Sequence, residues 1–208
     1  MARLTVRQLF FHDLGPVDFE VGSGERVFIT GASGTGKSLF LRALADLDPH
    51  RGSIFLDDVA CSAIPAPQWR RRVGLLPAES QWWHDTVGEH FRNGINSENA
   101  ARLGFSPEVA EWSIARLSSG EKQRLAILRL LQNRPEILLL DEPTANLDPA
   151  NGARVEELIL ACQREQGVAV IWVTHDLEQA ARLGGECLQI REGRLQTVAP
   201  VVFEGVEV

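Results

Sequence analysis

Eight consecutive residues constrain this chain more than any others. Gly31-Ala32-Ser33-Gly34-Thr35-Gly36-Lys37-Ser38 fits the pattern G-x-x-x-x-G-K-S/T at every fixed position. The run before it, Arg26 to Thr30, is rich in β-formers. The run after it, Lys37 to Ala45, places Leu39, Phe40, Leu41, Leu44 and Ala45 as a packed helix would. Strand, glycine loop and helix, in that order, is the setting in which this pattern holds phosphate. Glycines let the backbone curl so that its N–H groups face phosphate oxygens, and the helix N-terminus adds partial positive charge. On this reading Lys37 reaches the β and γ phosphates of a nucleotide, and Ser38 ligates Mg²⁺. The bland alternative, a Gly-rich turn ahead of a structural helix, weakens because further elements agree with the loop.

The rest of the chain alternates in the way such a loop requires. Leu4 to Leu9 and Val17 to Val21 alternate apolar and polar residues, which predicts an N-terminal antiparallel β layer. Ser53 to Leu56 and Val73 to Leu76 are short strand candidates, and Trp69 to Arg72 is a small basic cluster. Thr86 to Ile114 reads as a small helical insert, poor in β-branched residues and broken at Gly94, Gly104 and Pro107. From Ser118 the spacing predicts a helix to about Leu131, a strand Ile137 to Leu140, and a helix Asn151 to Gln166. A strand Val168 to Val173 and a helix Asp176 to Leu183 follow, and two closing strands, Glu186 to Ile190 and Arg194 to Val198, flank the turn Glu192-Gly193. Strands alternating with helices imply a parallel sheet with helices on its faces. The expected division is 1–78 for the β layer and phosphate-loop part, 79–116 for the insert and 117–208 for the rest of one α/β domain.

Composition then narrows the setting. The net charge of −7 disfavours nonspecific binding to nucleic acid or to an anionic membrane surface, both of which reward basic patches. No apolar run approaches the roughly 20 residues of a membrane-spanning helix. Cys61, Cys162 and Cys187, an odd set at wide spacing, suggest neither a disulfide framework nor a zinc site and fit a reducing cytosol. Met1 to Phe11 lacks the apolar core of a secretory signal, and no tyrosine occurs anywhere.

Ile137-Leu138-Leu139-Leu140-Asp141-Glu142 is a buried-strand run ending in two carboxylates, at the edge of a parallel sheet where ligands of such folds bind. Asp141 is placed to hold the Mg²⁺ shell. Glu142 points the other way along the strand and is placed to polarise an attacking water as general base. Taken alone, two acids ending a strand at the surface would be unremarkable; with a phosphate loop in the same sheet they read as a hydrolytic pair.

Leu117-Ser118-Ser119-Gly120-Glu121-Lys122-Gln123-Arg124 stands directly before a helix. Here the sequence resembles the nucleotide-binding subunit of an ATP-binding cassette (ABC) transporter, whose signature is LSGGQ or LSGGE; only Ser119 departs from it. Ala145-Asn146-Leu147-Asp148 resembles the family's D-loop, and Val173-Thr174-His175-Asp176 resembles its switch histidine. Five motifs in family order cover essentially the whole chain. The resemblance implies a P-loop NTPase core and hydrolysis of Mg²⁺·ATP. It also implies a head-to-tail homodimer that sandwiches two ATP molecules between one subunit's phosphate loop and the other's signature. In that arrangement Ser118 and Gly120 serve the partner's nucleotide, His175 senses the γ-phosphate, and Asp148 links the two sites. It implies a separate transmembrane permease, with the ATPase cytoplasmic and peripheral on the inner face of the membrane. The Trp172 to Asp176 end further resembles subunits of bacterial iron or metal exporters.

Two positions depart from the family. Where it places a Mg²⁺-ligating glutamine, this chain has Ala78, followed by Glu79, Ser80 and Gln81, so either Glu79, Gln81 or water completes the Mg²⁺ shell. Where it stacks adenine on tyrosine, the candidates are Phe10, Phe11 and His12, with Phe11 preferred because a π face needs no hydroxyl. Trp82 and Trp83 cannot both point inward from a strand, so one is expected at a surface, beside the groove where the family accepts a helix of its membrane subunit. Two other functions remain open at this point: a non-transport ABC ATPase acting on nucleic acid or ribosomes, and a nucleotide-gated regulator with low turnover.

Overall fold

A computed structural model describes residues 3–191 and 193–198. Strands β1 (Leu4–Phe11) and β2 (Leu14–Val21) pair antiparallel, and β3 (Arg26–Thr30) leads through the glycine loop into α1 (Lys37–Leu44). Strand β4 (His50–Leu56) returns to pair with the far side of β1, and β5 (Val59–Ala60) completes a four-stranded antiparallel sheet in the order β2-β1-β4-β5. The expected β layer is therefore present, and the strand candidate beginning at Ser53 belongs to it. The basic cluster lies in α2 (Ala66–Arg72), which feeds β6 (Val73–Leu76).

Residues after β6 form the short helical insert read in the sequence. Among the described residues they form α3 (Ser97–Arg102) and short 3₁₀ turns at Gly88–His90, Pro107–Glu111 and Ile114–Arg116. Breakers bound these pieces: Gly94 and Gly104 take positive φ, of 72° and 79°, and Pro107 opens a 3₁₀ turn. The compensation is local, with Asn96 capping α3 by accepting from the Asn99 N–H at 2.8 Å.

The remaining elements are α4 (Ser119–Leu131), β7 (Ile137–Asp141), α5 (Pro149–Gln166), β8 (Ala169–Val173), α6 (Leu177–Leu183), β9 (Glu186–Arg191) and β10 (Arg194–Thr197). They join β3 and β6 in a six-stranded sheet of order β10-β9-β3-β8-β7-β6, parallel except for the β9/β10 pair. Glu192, in the closing turn read from the sequence, lies outside the described residues.

The continuous apolar runs of β7 and β8 follow from burial on both faces. Ile137 and Leu139 pack with Ile171, Val173 and α1 toward the antiparallel sheet. Leu138 and Leu140 pack with Val170, Trp172, α4 and α5 on the other side. This double burial makes β3, β7 and β8 rigid, and their C-terminal ends become fixed points from which loops project. Among the described residues, no helix is long and apolar enough to cross a membrane. All three cysteines are free, and burial pushes the Cys61 thiol up to about 11, leaving it inert.

Candidate active site

The site assembles at the ends of β3, β7 and β8. After β3 the chain must reverse within six residues, and Gly36 enters α1 with φ 96°, a left-handed conformation that favours glycine. A Cβ there would sit 2.1 Å from Leu14 Cδ1. No side chain caps α1 and no acid lies in its first turn, so its leading amides present positive potential to an anion. Lys37 is buried at 7% exposure, and its Nζ donates to the carbonyls of Gly31 and Ala32 at 2.9 Å each. The ammonium is thus held at the centre of the loop formed by Gly31 to Gly36.

Ser38, next to Lys37 in sequence, stands beside the Asp141 carboxylate at the end of β7, close enough to lower its pKa. Burial raises the Asp141 pKa; Ser38 and the Lys37 charge oppose that rise, while neighbouring Glu142 adds to it. A buried carboxylate and a hydroxyl, both hard oxygen donors, fit Mg²⁺, which takes one or two protein oxygens and fills its shell with phosphate and water. Among the described residues, no cluster of three or more His, Cys, Asp or Glu side chains is placed to hold a metal ion.

Glu142 has φ 47°, an uncommon conformation for a residue with a side chain, and its N–H donates to Val173 O at 3.1 Å. That bond ties the end of β7 to the end of β8. It also aims the Glu142 carboxylate across to His175, whose Nδ1 lies 3.5 Å from Glu142 Oε2. The histidine side chain is 68% exposed and the glutamate's 32%, so both face an open space beside the phosphate loop. Lys37, Ser38, Asp141, Glu142 and His175, gathered from three strand ends, therefore converge.

A supporting network beneath this pair has no obvious motif. Gln179 Nε2 donates to Thr144 Oγ1 and to Glu156 Oε1, both at 2.8 Å, and Thr174 Oγ1 donates to Gln179 Oε1 at 3.0 Å. Arg182 pairs with Glu156 at 2.8 Å. The network links the loop after β7 to the loop after β8 and fixes the residues on either side of His175. The available sequence signal is the capping spacing Asp176 to Gln179, realised as Gln179 N–H donating to Asp176 Oδ1.

The signature residues lie apart from this cluster. Ser118 caps α4 in a reciprocal box: its Oγ accepts from Glu121 N–H at 3.2 Å, and Glu121 Oε2 accepts from Ser118 N–H at 2.8 Å. These bonds hold the Glu121 carboxyl below the usual carboxylate range. A Cβ on Gly120 would stand 3.1 Å from Leu147 Cδ2, so glycine there lets α4 pack closely on the Ala145 to Asp148 loop. Asp148 Oδ1 caps α5 through Asn151 N–H at 3.0 Å. Ser118, Gly120 and Asp148 thus belong to one surface, formed by the start of α4 and the loop before α5.

Phe11 does not meet the expectation of an adenine platform. It is 1% exposed, with its ring 5.6 Å from that of Phe40 in the core, so neither face is free for a base. The exposed ring at the end of β1 is His12, 48% exposed, with Nε2 3.7 Å from Asp48 Oδ2. Ala78 and Glu79 are exposed in the loop after β6, and Trp83 is 66% exposed while Trp82 is half-buried.

Comparison with known proteins decides what this arrangement belongs to. Residues 14–145, more than half the chain, match the family model described as ABC transporter. The chain belongs to the ABC transporter family. Among its relatives, the probable iron export ATP-binding protein FetA of Escherichia coli is 35% identical over 80% of this chain and 79% of its own length. The rice protein STAR1 is 34% identical over 88% of this chain, which spans 57% of that protein. An aliphatic sulfonates import ATP-binding protein of Nocardia farcinica is 37% identical over 86% of this chain and 71% of its own. Of solved structures, a bacterial Atm1-family ABC exporter with ATP bound superposes with TM-score 0.82 at 28% identity, over 93% of this chain and 38% of the exporter. A dimeric ATP-binding cassette bound to ADP and phosphate shares the fold, with TM-score 0.80 at 23% identity, over 96% of this chain and all of that one. The chain thus has the fold of ABC ATPase domains.

Proposed function

We propose that the chain is the ATP-hydrolysing subunit of an ABC transporter, closing as a head-to-tail homodimer around two Mg²⁺·ATP and driving a separate transmembrane permease. The observation that carries this reading is the approach of Glu142 to His175, 3.5 Å apart, beside the Ser38–Asp141 pair. A nucleotide-gated regulator needs a phosphate loop but not a carboxylate held toward a histidine at its rim. The acidic balance and the match to transporter subunits favour transport over work on nucleic acid.

In this mechanism the α1 amides and Lys37 bind the β and γ phosphates; Lys37 exchanges its Gly31 and Ala32 carbonyl partners for phosphate oxygens. Ser38 and Asp141 would hold Mg²⁺, which when bound would neutralise charge developing on the phosphates. Glu142 accepts the proton of a water in line with the γ-phosphate. His175, hydrogen-bonding a γ-phosphate oxygen, orients that water's target and reports whether the γ-phosphate is there. Ser118 and Gly120 of the partner subunit cover the nucleotide from the far side. Adenine rests against His12, the exposed ring, instead of Phe11. The ATPase sits on the cytoplasmic face of the membrane through its permease. Named relatives include both export and import proteins, so cargo and direction are properties of the permease.

Steady-state ATPase of the wild type against Glu142→Gln tests the reading. A fall of roughly a hundredfold or more in turnover with ATP affinity retained is expected, the size typical of removing general-base catalysis. Equal rates would sink it.

A further inference from the structure

Gln179, on α6, is 5% exposed and commits its whole amide to the two loops that carry Glu142 and His175. Nε2 donates to Thr144 Oγ1 and to Glu156 Oε1, both at 2.8 Å, while Oε1 accepts from Thr174 Oγ1 at 3.0 Å. Thr144 lies two residues after Glu142, with Pro143 between them, and Thr174 immediately precedes His175. Proline fixes φ, so little backbone freedom separates the Thr144 anchor from Glu142. On the other side Thr174 is 4% exposed, its N–H donates to Ile29 O at 3.2 Å, and its Oγ1 accepts from the Asp176 N–H at 3.0 Å. The turn that carries His175 is thereby closed from both ends. One planar amide stands between two anchors, each within two residues of a member of the Glu142–His175 pair.

The amide is itself oriented. Glu156, on α5 and 6% exposed, receives Nη1 and Nη2 of Arg182 as a fork, at 2.8 and 3.0 Å. Burial pushes the Glu156 carboxyl toward its neutral form, but hydrogen bonds from Arg182 and Gln179 outweigh it and hold the group below the usual carboxylate range. An ionised carboxylate only accepts, so the side of the Gln179 amide turned to Glu156 is its NH₂ and the side turned to Thr174 is its carbonyl. A flipped amide would set oxygen against oxygen. Capping α6 needs none of this: the cap is the Gln179 backbone N–H donating to Asp176 Oδ1 at 2.9 Å, which any residue but proline could supply.

We infer that Gln179 is a positioning residue for hydrolysis: its amide, oriented by Glu156 and Arg182, sets the separation of Glu142 and His175 by gripping Thr144 and Thr174 together. This deepens the proposed ATPase reading and rests on it. The backbone bond from Glu142 N–H to Val173 O fixes where the two strands meet, and the amide fixes how the two loops diverge beyond that point. With the amide in place, the carboxylate that takes the water's proton stays in register with the ring that meets the γ-phosphate. Nucleotide binding rests on Lys37 and the α1 amides, and Lys37 bonds to the Gly31 and Ala32 carbonyls instead of to this network. Loss of the Gln179 amide therefore acts on turnover and leaves binding in place.

The test introduces Gln179→Met, which keeps the side chain's length without its polar atoms, into the wild type and into Glu142→Gln. In the wild-type background kcat should fall about tenfold to a hundredfold, the effect of an ångström-scale misplacement, with KM for ATP changed by less than about threefold. In the Glu142→Gln background the same substitution should change the residual turnover, read with labelled ATP, by less than about twofold, because the carboxylate it positions is already gone. Exchanging the two groups by Glu156→Gln with Gln179→Glu again sets one amide against one carboxylate, to which the Thr144 and Thr174 hydroxyls can both donate, and should bring kcat back to within about threefold of the wild type. An equal proportional loss in both backgrounds, an unchanged kcat, or an exchanged variant that folds yet stays as slow as Gln179→Met makes Gln179 a scaffold residue and overturns the inference. Should Gln179→Met fail to fold, Thr144→Val, which leaves Gln179 bonded to Glu156, carries the same two-background comparison with the same expected outcomes. Equal turnover of the wild type and Glu142→Gln faults the ATPase reading instead, so that one control tells the two failures apart.

Discussion

Single side chains divide into those that do chemistry and those that hold a loop for others. Ala78 tests the first kind. It offers no oxygen where the family places a glutamine, which on the proposed reading would leave the Mg²⁺ shell to Ser38, Asp141, phosphate and water. Ala78→Gln should leave ATP affinity similar and raise Mg²⁺-dependent turnover; a clear loss of turnover would contradict the account. His90 tests the second kind. Because Nε2 accepts two N–H groups, the proton sits on Nδ1, which donates to Thr86 O at 2.9 Å, so the folded loop needs the neutral ring. Burial is the chief cause lowering its pKa; the charges of Arg129 on α4 and of His84 add to it, and the bond to Thr86 opposes it. Glu89, bonded to Thr86 at 2.7 Å, is the nearest acid on the same loop. A depressed folded pKa means the contribution is present above the unfolded value of about 6.5 and is lost as pH falls through the folded value. His90→Asn should cost about 1–3 kcal/mol at pH 7.5 by orphaning the Trp83 and His84 amides. The variant's thermal midpoint should also vary less than the wild type's between pH 7.5 and 5. A midpoint in His90→Asn that falls with acid as steeply as the wild type's would show that this ring is not the titrating group.

Elements were legible in the sequence wherever one physical signal dominated. The β3–α1 turn carries its own glycines, and β7 and β8 announce double burial by unbroken apolar runs. Capping at Ser118, Asp148 and Asp176 agrees with the helix starts at Ser119, Pro149 and Leu177. The insert was legible as helical, but its division into α3 and 3₁₀ turns was not, because short apolar stretches between breakers fit a helix turn and a 3₁₀ turn equally well. Phe11 was misread for a related reason: a phenylalanine at a strand end is compatible with core and surface alike, and only its packing on Phe40 distinguishes them. Nor could the Thr144–Gln179–Glu156 network be read, since residues 35 and 23 positions apart meet only in the folded sheet. At this scale the structure predicts that β7 is a strut. Leu139→Ala, removing a side chain with 0% exposure, should cost about 2–5 kcal/mol by denaturant unfolding. ATP affinity should fall only as the folded fraction falls. A cost below about 1 kcal/mol would mean that the core collapses around the missing side chain and that the strand ends are less rigid than described.

For the whole molecule, the separation of two phosphate-facing surfaces matters most. Lys37, Ser38, Asp141, Glu142 and His175 gather at one place, while Ser118, Gly120 and Asp148 gather at another. Gly120 sits against Leu147, so the α4 N-terminus and the Ala145 to Asp148 loop form a single face. On the proposed reading, one chain carries two halves of different sites, and a second copy related by a two-fold axis would complete both. On that reading, hydrolysis is a property of the pair. The most direct check is steady-state ATP hydrolysis per chain as a function of protein concentration, measured at saturating Mg²⁺·ATP. The account predicts that the rate per chain falls toward zero on dilution below the dimerisation range, as the square of concentration in total rate. A rate per chain that stays constant through that range would contradict it.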